Sequence, residues 1–189
     1  MSLPSSLPSS LPSLRIAHTA DLDPADLRAA RALLREAFGG DFGDSDWEHG
    51  LGGLHALVHD EAGLAAHGSV VMRRARHRGR WLRVGYVEAV GVRPDARRRG
   101  HGGRVMAALE RIVERGYDLG ALGASDDGAR LYTVRGWQRW PGRICALSPD
   151  RGIVRLAAEE GDVFVRPALA GALDPAHELV FDWRDGDVM

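Results

Sequence analysis

At 189 residues the chain is long enough for one well-buried domain and short for two. With 25 basic and 26 acidic side chains its formal net charge is −1, and 44% apolar and 27% charged residues are ordinary globular composition, without the basic excess of a dedicated nucleic-acid binder. Its one cysteine, Cys145, excludes an internal disulfide framework and a multi-cysteine metal site, and no run of 18 apolar residues predicts a membrane span.

The first residues, M-S-L-P-S-S-L-P-S-S-L-P-S-L, repeat L-P-S-S. Proline at every fourth position blocks a helix and the apolar surface is too small to fold alone, so residues 1–13 are expected to form a flexible leader. It lacks the basic start and continuous apolar stretch of a secretory signal. The folded domain is expected over 14–189. L-R-I-A-H-T alternates as a short strand does. Pro24, preceded by Asp21 and Asp23 as cap candidates, opens a helix whose apolar face is Leu27, Ala30, Leu34 and Phe38, and Gly39-Gly40 ends it. The acidic, turn-rich stretch Gly40–Gly53 contains a short predicted helix around Ser45–Leu51. Three strands follow at Leu54–His59, Leu64–Arg76 and Trp81–Val92, joined by D-E-A-G and R-G-R turns.

After them comes V-R-P-D-A-R-R-R-G-H-G-G (Val92–Gly103), then a helix with Val105, Leu109, Ile112 and Val113 on one face, stopped by Gly116. Y-D-L-G-A-L-G predicts a strand, A-R-L-Y-T-V-R a short helix, and Trp137–Trp183 several short strands. Cys145, in apolar R-I-C-A-L, is read as buried and structural. Strand–helix alternation around a central meander implies one α/β domain with a mixed sheet. The Arg-Gly stretch lies between a long strand and a helix start, where unpaired N–H groups and the helix dipole attract an anion and glycines let it approach. The plainer reading of this stretch is a solvated, Gly-rich helix entry. Lysine and asparagine do not occur, for which biased codon usage is the plain account.

Two carboxylate patterns carry chemistry. Glu88 interrupts the apolar strand Y-V-E-A-V, where a carboxylate is costly unless it faces solvent or a site. Acidic residues also cluster at Asp41, Asp44, Asp46 and Glu48, and at Asp182, Asp185 and Asp187; taken singly, each is more often surface solvation. His55 and His59 share a strand face at i and i+4, but about 13 Å of strand rise separates them, and no metal site is expected.

V-x-P-x-x-R-x-x-G-x-G from Val92 to Gly102 resembles the coenzyme A pyrophosphate motif of GNAT-type N-acetyltransferases. The wider chain resembles the aminoglycoside 2′-N-acetyltransferases in five blocks: G-D-F-x-x-x-D-W-E-H-x-L-G-G-x-H-A-L (Gly40–Leu57), G-Y-V-E-A-V (Gly85–Val90), R-L-Y-x-x-R-G-W (Arg130–Trp137), V-F-V (Val163–Val165) and D-W-R-x-G-D-V (Asp182–Val188). The resemblance implies a single-domain acetyltransferase fold, a central mixed sheet flanked by helices. It implies acetyl-CoA as co-substrate, bound by Val90, Gly91, Val92, Arg97, Arg98, Arg99, Gly100, His101, Gly102 and Gly103. Glu88 is then the candidate base and Tyr132 the candidate acid. Asp41, Asp46, Glu88 and Asp187 become substrate contacts, with Glu159 or Glu160 and the chain end at Met189 beside them. It further implies a homodimer acting on small molecules; the single cysteine suits a cytoplasmic protein, and the balanced charge, the apolar runs and the histidine spacing predict no nucleic-acid or membrane partner and no metal. Another amine (a polyamine, a cell-wall precursor or a peptide), a non-catalytic acyl-CoA sensor and a nucleic-acid module stay open.

Overall fold

The computed structural model describes residues 12–124, 126–186, 188 and 189; the L-P-S-S repeat up to Leu11, and Asp187, lie outside the described residues. The chain opens with β1 (Ser13–His18), α1 (Pro24–Ala37), α2 (Asp44–His49), β2 (Leu54–Asp60), β3 (Gly63–His77) and β4 (Arg80–Val92). It continues through α3 (His101–Gly116), β5 (Leu119–Gly123), α4 (Asp126–Val134), β6 (Gln138–Arg139), β7 (Ile144–Ser148), β8 (Gly152–Arg155), β9 (Val163–Pro167) and β10 (Leu179–Asp182).

The strands join in one mixed sheet ordered β6-β9-β5-β4-β3-β10-β7-β8, with β1 and β2 continuing from β3. β3 is the long spine: β4 runs antiparallel along one edge, while β2 takes the first half of the other edge and β10 the second. β4 and β5 are parallel, as their crossover through α3 requires.

The helical periodicities expected from the sequence are realised with one departure at the end of α1, whereas the alternation expected in β1 buries no face: Leu14 and Ile16 are exposed. In α3, Val105, Leu109 and Val113 are buried and Ile112 packs at their margin. In α1 the buried stripe is Ala30, Leu33 and Leu34, against Phe42 and Trp47. Phe38 does not continue that face: the helix ends at Ala37, and Phe38 stacks on Phe42 at 5.6 Å with its ring half in solvent. At Gly91 an added Cβ would stand 2.9 Å from Leu34, so α1 packs directly on the β4 backbone.

A buried polar knot fixes the far end of α4. Glu110 of α3 takes a bidentate hydrogen bond from Arg135 at 2.7 and 2.6 Å, and a third from Trp137 Nε1 at 3.0 Å. The R-G-W segment is thereby tied to α3, and Trp137 in turn packs edge-on to Tyr132. Glu110→Ala leaves a buried indole N–H and a part-buried guanidinium unpaired, and is expected to cost about 1–3 kcal/mol. Equilibrium urea unfolding checks it: the midpoint should fall with the m value unchanged.

Candidate active site

The β4–β5 ladder has rungs at Val84–Leu119, Gly85–Gly120 and Tyr86–Ala121 and then stops, although β4 continues six residues further, to Val92. Beyond Tyr86 the strands part. Opposite this point β4 carries a bulge: the register with β3 slips between His67 and Ser69, so that Ala89 and Val90 face Gly68. Ala89 takes φ +53°, a left-handed conformation that a non-glycine residue adopts at a cost of about 1 kcal/mol.

A cleft of about 420 Å³ opens where the strands part. Val87, Glu88, Ala89 and Val90 line it from β4, Gly123 and Ala124 from the end of β5, and Tyr132 from α4. Phe38, Asp41, Phe42, Asp46 and His49 form the wall from the α1–α2 side, and Glu159, Asp162, Arg184 and Met189 close the remainder. Glu88 pairs in register with Ser69, whose side chain meets the α2 end at Gly50, whereas Val90 approaches Gly68 on the α3 side. The cleft therefore passes through the sheet, with Glu88 facing the acidic wall and Val90 facing α3.

Glu88 is largely buried and forms an ion pair with Arg184. Burial raises its proton affinity above the ordinary carboxylate range, opposed by the positive charge and hydrogen bond of Arg184 and by His49 and Arg73. Tyr132 is buried against Trp137 and Phe164; burial, reinforced by the charge of Glu88, pushes its hydroxyl up to about 12. The phenol therefore keeps its proton at neutral pH. The Cys145 thiol, buried in β7, is pushed up by burial as well, which argues against a thiolate nucleophile.

The sequence-predicted residues divide as follows. Glu88, Tyr132, Val90, Asp41, Asp46, Glu159 and Met189 are brought together in the cleft. Asp46 also accepts from Gly43 N at 2.7 Å and so caps α2. Glu160 is not part of the lining: it turns outward into a bidentate pair with Arg155. At the α3 entry, Gly100 takes φ +83° and offers no side-chain cap, and no acidic residue stands in the first turn. That turn begins with His101, Gly102 and Gly103, and Gly102 lies so close to β4 that an added Cβ would stand 3.3 Å from Val92. Arg98 and Arg99 are exposed beside it, while Arg97 extends away to donate to the Ala37 carbonyl at 2.9 Å, tying this loop to the end of α1. Asp187 is outside the described residues. Among them, no group of three or more His, Cys, Asp or Glu side chains is placed to hold a metal ion.

Sequence reasoning missed Arg184, His49 and Asp162. Arg184 and His49 stand inside the D-W-R and D-W-E-H blocks, which was the available signal, whereas Asp162 had none. The segment after β10 is strapped across the site. Arg73, buried beneath it, donates to the Asp182 side chain at 2.9 Å and to the Asp182 and Val188 carbonyls at 2.7 Å. Arg184 donates to a Met189 oxygen at 2.6 Å, and both guanidiniums lie over the Tyr86 ring. His49 Nε2 donates to the Asp185 carbonyl at 2.8 Å.

Comparison with known proteins identifies the family. The sequence model of the acetyltransferase (GNAT) domain matches residues 19–139. The chain belongs to the GNAT acetyltransferases. An aminoglycoside 2′-N-acetyltransferase of Mycolicibacterium fortuitum is 46% identical over 177 residues, covering 92% of this chain and 90% of that protein, which places both in one family. Among solved structures, the GNAT family N-acetyltransferase YhbS from Escherichia coli in complex with CoA superposes with TM-score 0.64 at 18% identity, over 95% of this chain and 93% of that one. Eis1 from Mycobacterium abscessus matches with TM-score 0.58 at 19% identity over 71% of this chain, which spans only about a third of its length (33%). These two likenesses concern the fold.

The Arg184–Glu88 pair yields a test. Arg184 favours the ionised carboxylate, so Arg184→Ala should raise the Glu88 pKa further and shift the acid limb of the kcat/KM profile to higher pH, while Arg184→Lys restores most of it. If Glu88 acts as a base, its carboxylate is the active form and activity climbs with pH through that limb. A pH–rate profile of the three proteins checks it.

Proposed function

We propose that this acetyltransferase moves the acetyl group of acetyl-CoA to the 2′-amino group of an aminoglycoside, and so confers resistance to it. The observation that carries the reading is the acidic cleft built around a buried carboxylate of raised proton affinity, in a chain 46% identical to a protein bearing that name. Asp41, Asp46, Glu159 and Asp162 suit a polycationic sugar. On the other side, the uncapped α3 entry with Arg98 and Arg99 suits a pyrophosphate. Val90, Gly91, Val92, Gly100, His101, Gly102 and Gly103 then follow the co-substrate's arm, and Arg97 holds the loop that receives it.

The chemistry follows from these positions. An ammonium cannot attack a thioester, so Glu88 accepts the proton, directly or through a water, as the amine nitrogen bonds to the carbonyl carbon. As the tetrahedral centre collapses, the C–S bond breaks and the thiolate takes a proton from Tyr132. A free thiol has a pKa of about 8.5, and desolvation in the cleft lifts the thiolate's proton affinity toward that of the phenol. A general base contributes about 3–5 kcal/mol and alignment of the two substrates up to about 7–11 kcal/mol, so positioning outweighs proton transfer.

The reading extends to a homodimer working in the cytoplasm on small molecules, with no nucleic-acid or membrane partner. The balanced charge, without a basic excess, supports the part of the reading that concerns nucleic acid.

A thiol-release assay with acetyl-CoA and matched aminoglycosides bearing a 2′-amino or a 2′-hydroxyl group tests the proposal. Turnover is expected with the amine and not with the alcohol; turnover of both, or of neither, overturns it. Asp41→Asn with Asp46→Asn should raise the aminoglycoside KM about three- to tenfold, as for loss of two wet ion pairs, and leave the acetyl-CoA KM within twofold. Initial-rate kinetics with each substrate varied in turn measure the difference.

A further inference from the structure

Two buried histidines outside the cleft stand in a continuous hydrogen-bonded line that ends on the β4 bulge. The Gly52 N–H donates to Thr19 Oγ1 at 2.9 Å, and Thr19 Oγ1 lies 2.7 Å from His55 Nε2. His55 Nδ1 lies 2.9 Å from His67 Nε2, and His67 Nδ1 lies 3.0 Å from the carbonyl oxygen of Ala89. His55 and His67 are both fully buried, on β2 and β3. Burial, with the neighbouring charge of His18 on His55 and of His55 on His67, brings both down to about 4. Both rings are therefore neutral at working pH.

Neutrality fixes every proton in the line. A carbonyl only accepts, so His67 carries its proton on Nδ1 and leaves Nε2 as an acceptor. His55 must then donate from Nδ1, which leaves its Nε2 to accept the Thr19 hydroxyl proton. The contact of that hydroxyl with the Gly53 carbonyl, at 3.3 Å, is the weaker alternative. The line is directional from Thr19 to Ala89, and because it ends on a carbonyl it is a brace and not a proton path.

The braced atom belongs to a strained peptide. Ala89 sits at φ +53°, and neither Ala89 nor Val90 has a rung in the β3–β4 ladder. In a trans-planar peptide the N–H points opposite to the C=O. Holding the Ala89 carbonyl toward His67 turns the Val90 N–H away from His67, to the α3 side of the sheet, where Val90 lines the cleft opposite the acidic wall. We propose that Thr19, His55 and His67 are positioning residues that hold the Ala89–Val90 peptide so that the Val90 N–H donates to the thioester carbonyl oxygen as negative charge develops on it. A preorganised donor of this kind typically contributes 10²–10³-fold in kcat, about 2.7–4 kcal/mol. The inference rests on the acetyl-CoA reading given under Proposed function.

Loss of the brace should act on the carbonyl and on little else. His67→Leu is expected to lower kcat at least tenfold, with both KM values within threefold. His67→Asn places an amide N–H near the lost Nδ1–H, and should recover most of kcat. Binding gives a second readout that needs no amine. Wild-type protein should prefer acetyl-CoA to S-ethyl-CoA, which lacks the carbonyl, and His67→Leu should erase that preference while binding S-ethyl-CoA as before. Should His67→Leu not fold, ¹⁵N spectra of the wild-type histidines decide: both rings are expected neutral with the proton on Nδ1 from pH 5.5 to 8. An Nε2–H tautomer at either ring overturns the brace, as does an unchanged kcat in folded His67→Leu. Those results leave the acetyl-CoA reading intact. Wild-type protein that binds neither thioester nor thioether overturns both.

Discussion

The separation of β4 from β5 beyond Tyr86 is the feature on which everything functional in this molecule depends. Two parallel strands with ladder bonds throughout would leave no room between them and no backbone donors facing a ligand. The ladder ends at Tyr86–Ala121 because β4 acquires an extra residue opposite Gly68, and a bulge of this kind bends its strand and ends regular pairing. The price is an alanine in the left-handed region. Neighbouring contacts hold it there: His67 takes its carbonyl, α1 packs on Gly91 two residues later, and Gly50 of the α2 end approaches the Ala89 side chain. The small residues of this stretch follow from the same demand, since Gly68 brings β3 against Val105 and Leu109 while Gly91 admits Leu34.

Charge is divided across the sheet to match. On the α1–α2 side the wall is acidic, and much of the acidity of that segment is already committed elsewhere: Asp44 pairs with Arg31 and Arg35, which leaves Asp41 and Asp46 to face the cleft. On the α3 side the helix entry is basic and glycine-rich. Glu88 lies between, and its environment pulls two ways. Burial favours the protonated acid and Arg184 favours the carboxylate; burial is the larger of the two, so the carboxylate's proton affinity stands above the ordinary range even beside a cation.

Much of this was legible in the sequence, and the limits are physical. Periodicity located α1 and α3 because each buries one face, whereas β2, β3 and β4 are buried on both faces at mid-strand and were marked by apolar runs between turn signals. It placed Phe38 in the helical stripe because a three- and four-residue spacing cannot register that the helix ends one residue earlier at Ala37. Glu88 stood out as a carboxylate in an apolar strand, whereas its partner Arg184, 96 positions away, had only motif membership to mark it. Glu159 and Glu160 were indistinguishable until a single turn sent one into the cleft and the other to Arg155. The His55–His67 brace is the extreme case. Each histidine alone reads as an ordinary core residue, and only the β2–β3 register makes them neighbours.

The segment after β10 shows why the same family blocks serve structure and site together. Asp182 accepts from both Arg73 and the Arg74 backbone, and Arg73 in turn reaches past it to the Val188 carbonyl. A buried cation here must stay charged, since its bonds to Asp182 and to two carbonyls all require donors. Arginine tolerates this: burial lowers its pKa from a value so high that it keeps its proton, and its planar fork serves several acceptors while stacking on Tyr86 and Phe181. A lysine would offer one point charge, no stacking plane, and a pKa that burial can bring toward neutrality. The guanidinium of Arg73 thus sets the path of the strap, and the strap delivers Arg184 to Glu88. The electrostatics of the cleft are fixed by an arginine that does not line it.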